Sequence, residues 1–224
     1  SLGNLFGFGE LILGFWGIPF TIFCVVGMIN AFNMIDGLNG LCASLCLVCF
    51  TAIIYMINAD TVPSLFPLIL PVGAITGFLM YNLGVLGNQR TVFLGDNGSN
   101  ALGFMCAWIL VYFSSVENSN FEPVTALWFV AIPFFDAVGV MSSRAIKGIM
   151  PLRPGRDHLH HKLLDIGLSS ATIYMILIFV SALFAATGYI FNNSFPDSHY
   201  ISFYIFMTVW ICYYFLTRYI SKNV

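Results

Sequence analysis

The sequence predicts an all-α protein, a polytopic membrane bundle of about seven transmembrane helices. Three observations predict it. Of 224 residues, 59% are hydrophobic and 8% charged, against roughly 25% charged in a soluble domain. The apolar residues gather into seven segments, roughly 15–33, 40–58, 65–84, 100–115, 124–142, 171–191 and 200–218. None alternates with period two, so helices and not a β-barrel are expected. Finally, the charges segregate by loop although the net charge is only −2. Arg90 follows the third segment, Arg144, Lys147, Arg153, Arg156 and Lys162 follow the fifth, and Arg218 and Lys222 close the seventh. The alternate loops hold Asp60, Glu117, Glu122 and Asp197 without Lys or Arg. Basic loops stay inside, so the N-terminus is expected outside and the C-terminus in the cytoplasm.

The first segment is nearly free of polar groups from Phe15 to Val26, then ends in Asn30-Ala31-Phe32-Asn33-Met34-Ile35-Asp36-Gly37-Leu38-Asn39-Gly40-Leu41. Polar side chains are costly in a membrane helix and mark function. Asn33, Asp36 and Asn39 are three apart, so a continuous helix would place them near one face. The second segment carries Cys42, Cys46 and Cys49, also roughly on one face. With no His or other hydrophilic ligand beside them, these thiols read as small packing residues, as do Cys24, Cys106 and Cys212. Pro67 and Pro71 in the third segment and Pro133 in the fifth predict kinks that a packed bundle tolerates.

Phe93-Leu94-Gly95-Asp96-Asn97-Gly98-Ser99 reads as a tight turn into the fourth segment. By itself it is an ordinary turn and cap. Beside a phosphate ligand it would offer free N–H groups and a carboxylate suited to Mg²⁺. Asp136 lies inside the fifth segment, either hydrogen-bonded structurally or functional. The longest cytoplasmic loop, about 143–170, holds Arg156-Asp157-His158-Leu159-His160-His161. That spacing does not match a closed zinc site. It suits acid–base chemistry or a phosphate contact. The three polar stretches therefore face one compartment, at one depth. A transporter built around Asp36, Asp96 and Asp136 would instead place its polar groups at the bilayer midplane.

Read in order, several stretches resemble the polyprenyl-phosphate N-acetylhexosamine 1-phosphate transferases, of glycosyltransferase family 4 type. They are Asn30 to Gly37, Tyr81-Asn82-Leu83-Gly84, Phe93-Leu94-Gly95-Asp96 with Gly98-Ser99, Val124-Thr125-Ala126-Leu127-Trp128, Ile132-Pro133 with Asp136, and His158-Leu159-His160-His161. The His-x-His-His form looks like the bacterial branch that uses UDP-GlcNAc and undecaprenyl phosphate. The resemblance covers nearly the whole chain, read as one transferase domain over 1–224.

The resemblance implies attack of undecaprenyl phosphate on the β-phosphate of UDP-GlcNAc, giving undecaprenyl-diphospho-GlcNAc and UMP. This would be the first membrane step of O-antigen or other surface-polysaccharide synthesis in a bacterial inner membrane. The same motifs fit another UDP-N-acetylhexosamine donor, or a non-catalytic remnant. Mg²⁺ is the implied ion, with Mn²⁺ as a substitute; nucleic acid is not an expected partner, and a homodimer is. By position, Asn33 and Asp96 look like metal ligands. Asp36, Asp96 and His158 look like the catalytic set. Asn39, Asn82 and Phe93 look like nucleotide contacts. Arg144, Arg156, His160 and His161 look like the sugar and diphosphate clamp. Two features depart from the pattern: Asn39 stands where bacterial relatives usually carry Asp, and the family's Asp-Asp pair and about four preceding helices are missing. With no initiator Met before Ser1, the chain is expected to be the C-terminal part of a longer enzyme.

Overall fold

The structure, a computed structural model, describes residues 1–57, 66–87, 91–115, 121–151, 153, 155–196 and 198–221. Asp60, Arg90, Glu117, Asp197 and Lys222, used above for the loop charges, lie outside the described residues. Every regular element among the described residues is helical: α1 (Gly17–Ile35), α2 (Leu41–Met56), α3 (Phe66–Asn82), α4 (Gly95–Ser115), α5 (Pro123–Phe129), α6 (Ala131–Ile146), α7 (Leu159–Asp165), α8 (Ser170–Ser194) and α9 (His199–Ile220).

The membrane character is clear, but the span count is coarser than seven. Among the described residues three helical stretches are long and apolar enough to cross, Gly14–Ile35, Ser170–Ser194 and His199–Ile220, and α5 with α6 makes a fourth if the bent pair is one span. The 16 residues of α2 reach only about 24 Å, short of a hydrocarbon core of about 30 Å. The first turn of α4 is polar, Gly-Asp-Asn-Gly-Ser-Asn. Apolar residues such as Ile18, Phe23 and Val26 stay exposed along α1, as suits a helix surrounded by hydrocarbon.

The fifth apolar segment is not one continuous helix. It breaks at Val130, and α5 and α6 are bent by 86°. Pro133 is the cause nearest to hand. It sits in the first turn of α6, has no N–H to give the Phe129 carbonyl, and so lets a new helix start there. The break turns α6 so that its C-terminal end meets α9, while α5 packs on α8. There Trp128 is buried against Phe206 at 5.1 Å and donates to Ser202 Oγ at 2.9 Å.

α1 packs against α4. A Cβ on Gly103 would lie 2.9 Å from Ile29 Cα and 3.1 Å from Phe32 Cβ. Small residues at such crossings let membrane helices approach. Gly103→Val should therefore force α1 and α4 apart, costing about 2 kcal/mol or more. A lowered thermal midpoint in detergent, with Gly103→Ala affected less, is the expected result. Nearby, Cys46 and Cys106 thiols meet at 3.2 Å where α2 packs on α4, and all six cysteines are free. Cys42, Cys46, Cys49 and Cys106 are buried and pack, as the sequence reading expects, whereas Cys24 is half-buried and Cys212 is exposed.

Candidate active site

Four elements converge at one end of the bundle. α1 delivers Asn33 near its C-terminus, and its helix stops at Ile35. Asp36 leaves helical geometry at φ −76°, ψ 48°, so the expected ladder does not run along one helix face. Asn39 lies beyond the helix in the following turn, exposed, and Asn30 is spent on the Val26 carbonyl at 2.7 Å. α4 enters through Gly95 at φ +66°, a backbone shape that favours glycine. Asp96 then sits in the first turn, where the helix dipole favours a carboxylate.

The α1–α4 crossing brings these together. Asn33 Nδ2 donates to Ser99 Oγ at 3.0 Å and to Asp96 Oδ1 at 3.4 Å. Ser99 Oγ in turn donates to the Asp96 carbonyl at 3.2 Å. Asp36 is half-buried beside Asp96, and its carboxyl is pushed up to about 6, first by burial and then by the Asp96 charge. Two carboxylates and an amide at one spot are hard oxygen donors. Among the described residues no group of three or more His, Cys, Asp or Glu is placed to hold a metal. Mg²⁺ does not require one, since it takes one or two carboxylates, waters and substrate phosphates. The donor chemistry fits Mg²⁺, and the mutual repulsion of Asp36 and Asp96 is what a cation would relieve.

The histidine stretch is not a plain loop. His158 caps α7, and His160 lies in its first turn. His158 Nδ1 meets Asp136 Oδ2 at 2.7 Å, both buried. The other Asp136 oxygen accepts from Leu159 N at 2.8 Å and from the Tyr213 hydroxyl at 3.1 Å. Asp136 thus orients the ring and the start of α7, leaving His158 Nε2 for other partners. This is the arrangement of a carboxylate-held histidine in acid–base sites.

His160 ties α7 to the first stretch. A Cβ on Gly37 would fall on its imidazole. Its two ring nitrogens are buried without a hydrogen-bond partner, and burial first, then His161, push its pKa down to about 4. An unfolded histidine takes up its proton near 6.5. The stability carried by the neutral folded ring is therefore present above about 6.5 and lost as pH falls toward about 4. The thermal midpoint should drop between about pH 7 and about pH 5, with a shallower drop in His160→Asn.

The remaining candidates are spread around this centre. Arg144 is buried and holds the incoming segment: its Nε donates to Asp157 Oδ2 at 2.9 Å and its Nη1 to the carbonyls of Pro151 and Arg153. Arg156 is exposed and pairs with Asp165 at 3.6 Å, and His161 packs against His160 at 4.2 Å between ring centres. Asn82, at the end of α3, donates to the Val92 carbonyl at 2.6 Å, one residue before the exposed ring of Phe93, while its own Oδ1 is buried and unpartnered. The structure thus joins Asn33, Asp36 and Asp96, joins Asp136 and His158, and brings His160 to Gly37. Asn39 stands apart, exposed in the turn after α1. Sequence reading passed over Tyr213, Asp157 and Gly103. Tyr213 is one hydroxyl in an aromatic helix. Asp157 is one acid beside three histidines. Gly103 is a lone small residue in an apolar run.

The profile of glycosyl transferase family 4 matches residues 1–114. The undecaprenyl-phosphate alpha-N-acetylglucosaminyl 1-phosphate transferase of Escherichia coli is 37% identical over 227 aligned residues, covering 100% of this chain and 60% of the relative. The enzymes of that description from Salmonella typhi and Haemophilus influenzae are each 36% identical, covering 100% and 84% of this chain and 60% and 53% of theirs. The chain thus spans about 60% of the length of the curated relatives it matches over its full extent.

Proposed function

Because the chain belongs to glycosyl transferase family 4, we propose that it takes part in transferring N-acetylglucosamine 1-phosphate from UDP-GlcNAc to undecaprenyl phosphate. The products are undecaprenyl-diphospho-GlcNAc and UMP. The observation that carries this reading is the junction of Asn33 with Asp96, 63 positions apart in sequence, at the same end as the Asp136–His158 pair. Relatives with that activity in their description match the whole chain.

The bond that forms joins an oxygen of the lipid phosphate to the β-phosphorus, and the bond that breaks is the bridge to the α-phosphate, whose electrons leave with UMP. Asp36, a half-buried carboxylate beside Asp96, is suited to accept a proton from the lipid phosphate. His158, with Nδ1–H held on Asp136, is suited as the imidazolium to donate from Nε2 to a diphosphate oxygen. Mg²⁺, or Mn²⁺ in its place, would be held by Asp96 and Asn33 and would neutralise charge on the diphosphate. Phe93, Asn82 and Asn39 are suited to the uracil end, and Arg156 and His161 to the sugar diphosphate. Arg144 acts by holding the segment that carries them.

We place this end in the cytoplasm of the bacterial inner membrane, where the nucleotide sugar is, with the C-terminus inside. α2, α3 and α4 then complete the seven crossings, in a pathway to O-antigen or another surface polysaccharide. The test is UMP release from UDP-GlcNAc by membranes expressing the chain within its complete reading frame. Release that requires both undecaprenyl phosphate and Mg²⁺ is expected. Release only from another UDP-N-acetylhexosamine would move the donor assignment, and release from none would overturn the enzyme reading.

A further inference from the structure

α7 presents His160 to Gly37, and two residues on it presents Lys162 to a different space. That space is a cavity of about 430 Å³ between α6, α7 and α9. Arg144, Lys147, Lys162 and Arg218 all line it, and Asp157 is the acid among them. Asp157 is already committed to Arg144 Nε, and Arg144 Nη2 stays buried with no partner. Among the described residues Lys147 and Lys162 make no salt bridge, and Arg218 donates to the Tyr214 hydroxyl at 3.2 Å and lies over its ring. Burial lowers the proton affinity of Lys162; the charges of Asp136 and Asp157 work against that, and those of Lys147 and Arg218 add to it. Four cations and one carboxylate line the enclosure, an excess of positive charge that a bound anion would offset.

The walls say what kind of anion. Val140 and Ile149 give the cavity an apolar side, and Thr217 and Ser221 add hydroxyls from the last turn of α9. α6 and α9 are membrane helices here, and the cavity opens at their basic ends. Basic pockets between membrane helices at the inner face bind the headgroups of anionic lipids. A space of this size suits a headgroup rather than a single small ion.

We propose that this cavity binds the phosphate headgroup of an anionic phospholipid, as a site distinct from the Asn33–Asp96 centre. Because Lys162 belongs to the histidine helix, an occupied cavity steadies α7 from behind. The inference rests on the cavity's own residues and does not need the transferase reading.

Native mass spectrometry of the full-length protein in detergent tests it without any nucleotide sugar. The probes are a diphosphatidylglycerol, a phosphatidylcholine, undecaprenyl phosphate and inorganic phosphate. Preferential retention of diphosphatidylglycerol is expected. Lys147→Gln with Arg218→Gln should weaken it about thirtyfold, as two lost cations predict. The Lys147→Arg with Arg218→Lys protein, matched in fold and charge, should bind as the parent does. Equal retention of phosphatidylcholine, or unchanged binding in the double glutamine protein, would overturn the proposal. Complete displacement by inorganic phosphate would assign the cavity to a soluble anion, and stronger retention of undecaprenyl phosphate would assign it to the acceptor. Either result would also overturn the phospholipid reading.

Discussion

Asp96→Asn should lower Mg²⁺-dependent UMP release by about a thousandfold, the scale of losing a group that stabilises charge in the transition state. The substitution keeps the size of the side chain and its place in the first turn of α4. It removes the negative charge that the donor set offers a cation and leaves Asn33 facing a second amide at 3.4 Å. It also removes the charge that helps push the Asp36 carboxyl up, so the Asp36 pKa should fall toward its ordinary value. The protein should still extract and unfold as the parent does, because Asp96 is exposed. Retention of more than about a tenth of the parent rate would show that Asp96 is not a charge-stabilising group.

Asp136→Asn should cost on the order of a hundredfold in kcat, within the range for a disabled acid–base group. The carboxylate accepts from Leu159 N and the Tyr213 hydroxyl and pairs with His158 Nδ1. An amide offers one acceptor oxygen for these three and turns an N–H toward one of them. Leaving a buried partner unsatisfied should also destabilise the fold by about 3 kcal/mol. A purely structural role would lower the amount of folded protein and leave its pH profile in place. The positioning role predicts that the folded fraction has a shifted pH–rate profile with KM little changed. Asp136→Glu, which restores the charge, should recover part of kcat.

Much of the site could be read along the chain because membrane sequence makes polar residues conspicuous. Asn33, Asp36 and Asp96 stood out against apolar runs, and the histidines against a basic loop. The loop charges also anticipated that the C-terminal ends of α1 and α6 and the start of α4 share one end. What could not be read was set by tertiary geometry. Proline spacing suggested a kink near Pro133, but the 86° break at Val130 depends on how α5 packs on α8 and α6 on α9. Helix periodicity suggested that Asn39 continues the α1 face, but the chain leaves the helix at Asp36 to reverse into α2. Tyr213 became a partner of Asp136 only through the contact of α6 with α9. Gly103 mattered only because α1 lies on it.

The most direct test of the central claim follows the β-phosphorus. UDP-GlcNAc labelled at that atom is incubated with membranes, undecaprenyl phosphate and Mg²⁺, and the label is traced to lipid or water. Sugar-phosphate transfer predicts that the label enters the lipid as a diphosphate, with one UMP released per lipid formed. Label left in water as UDP while the sugar alone moves to lipid would mean an ordinary glycosyl transfer, and would contradict the role given to Asn33, Asp96 and His158.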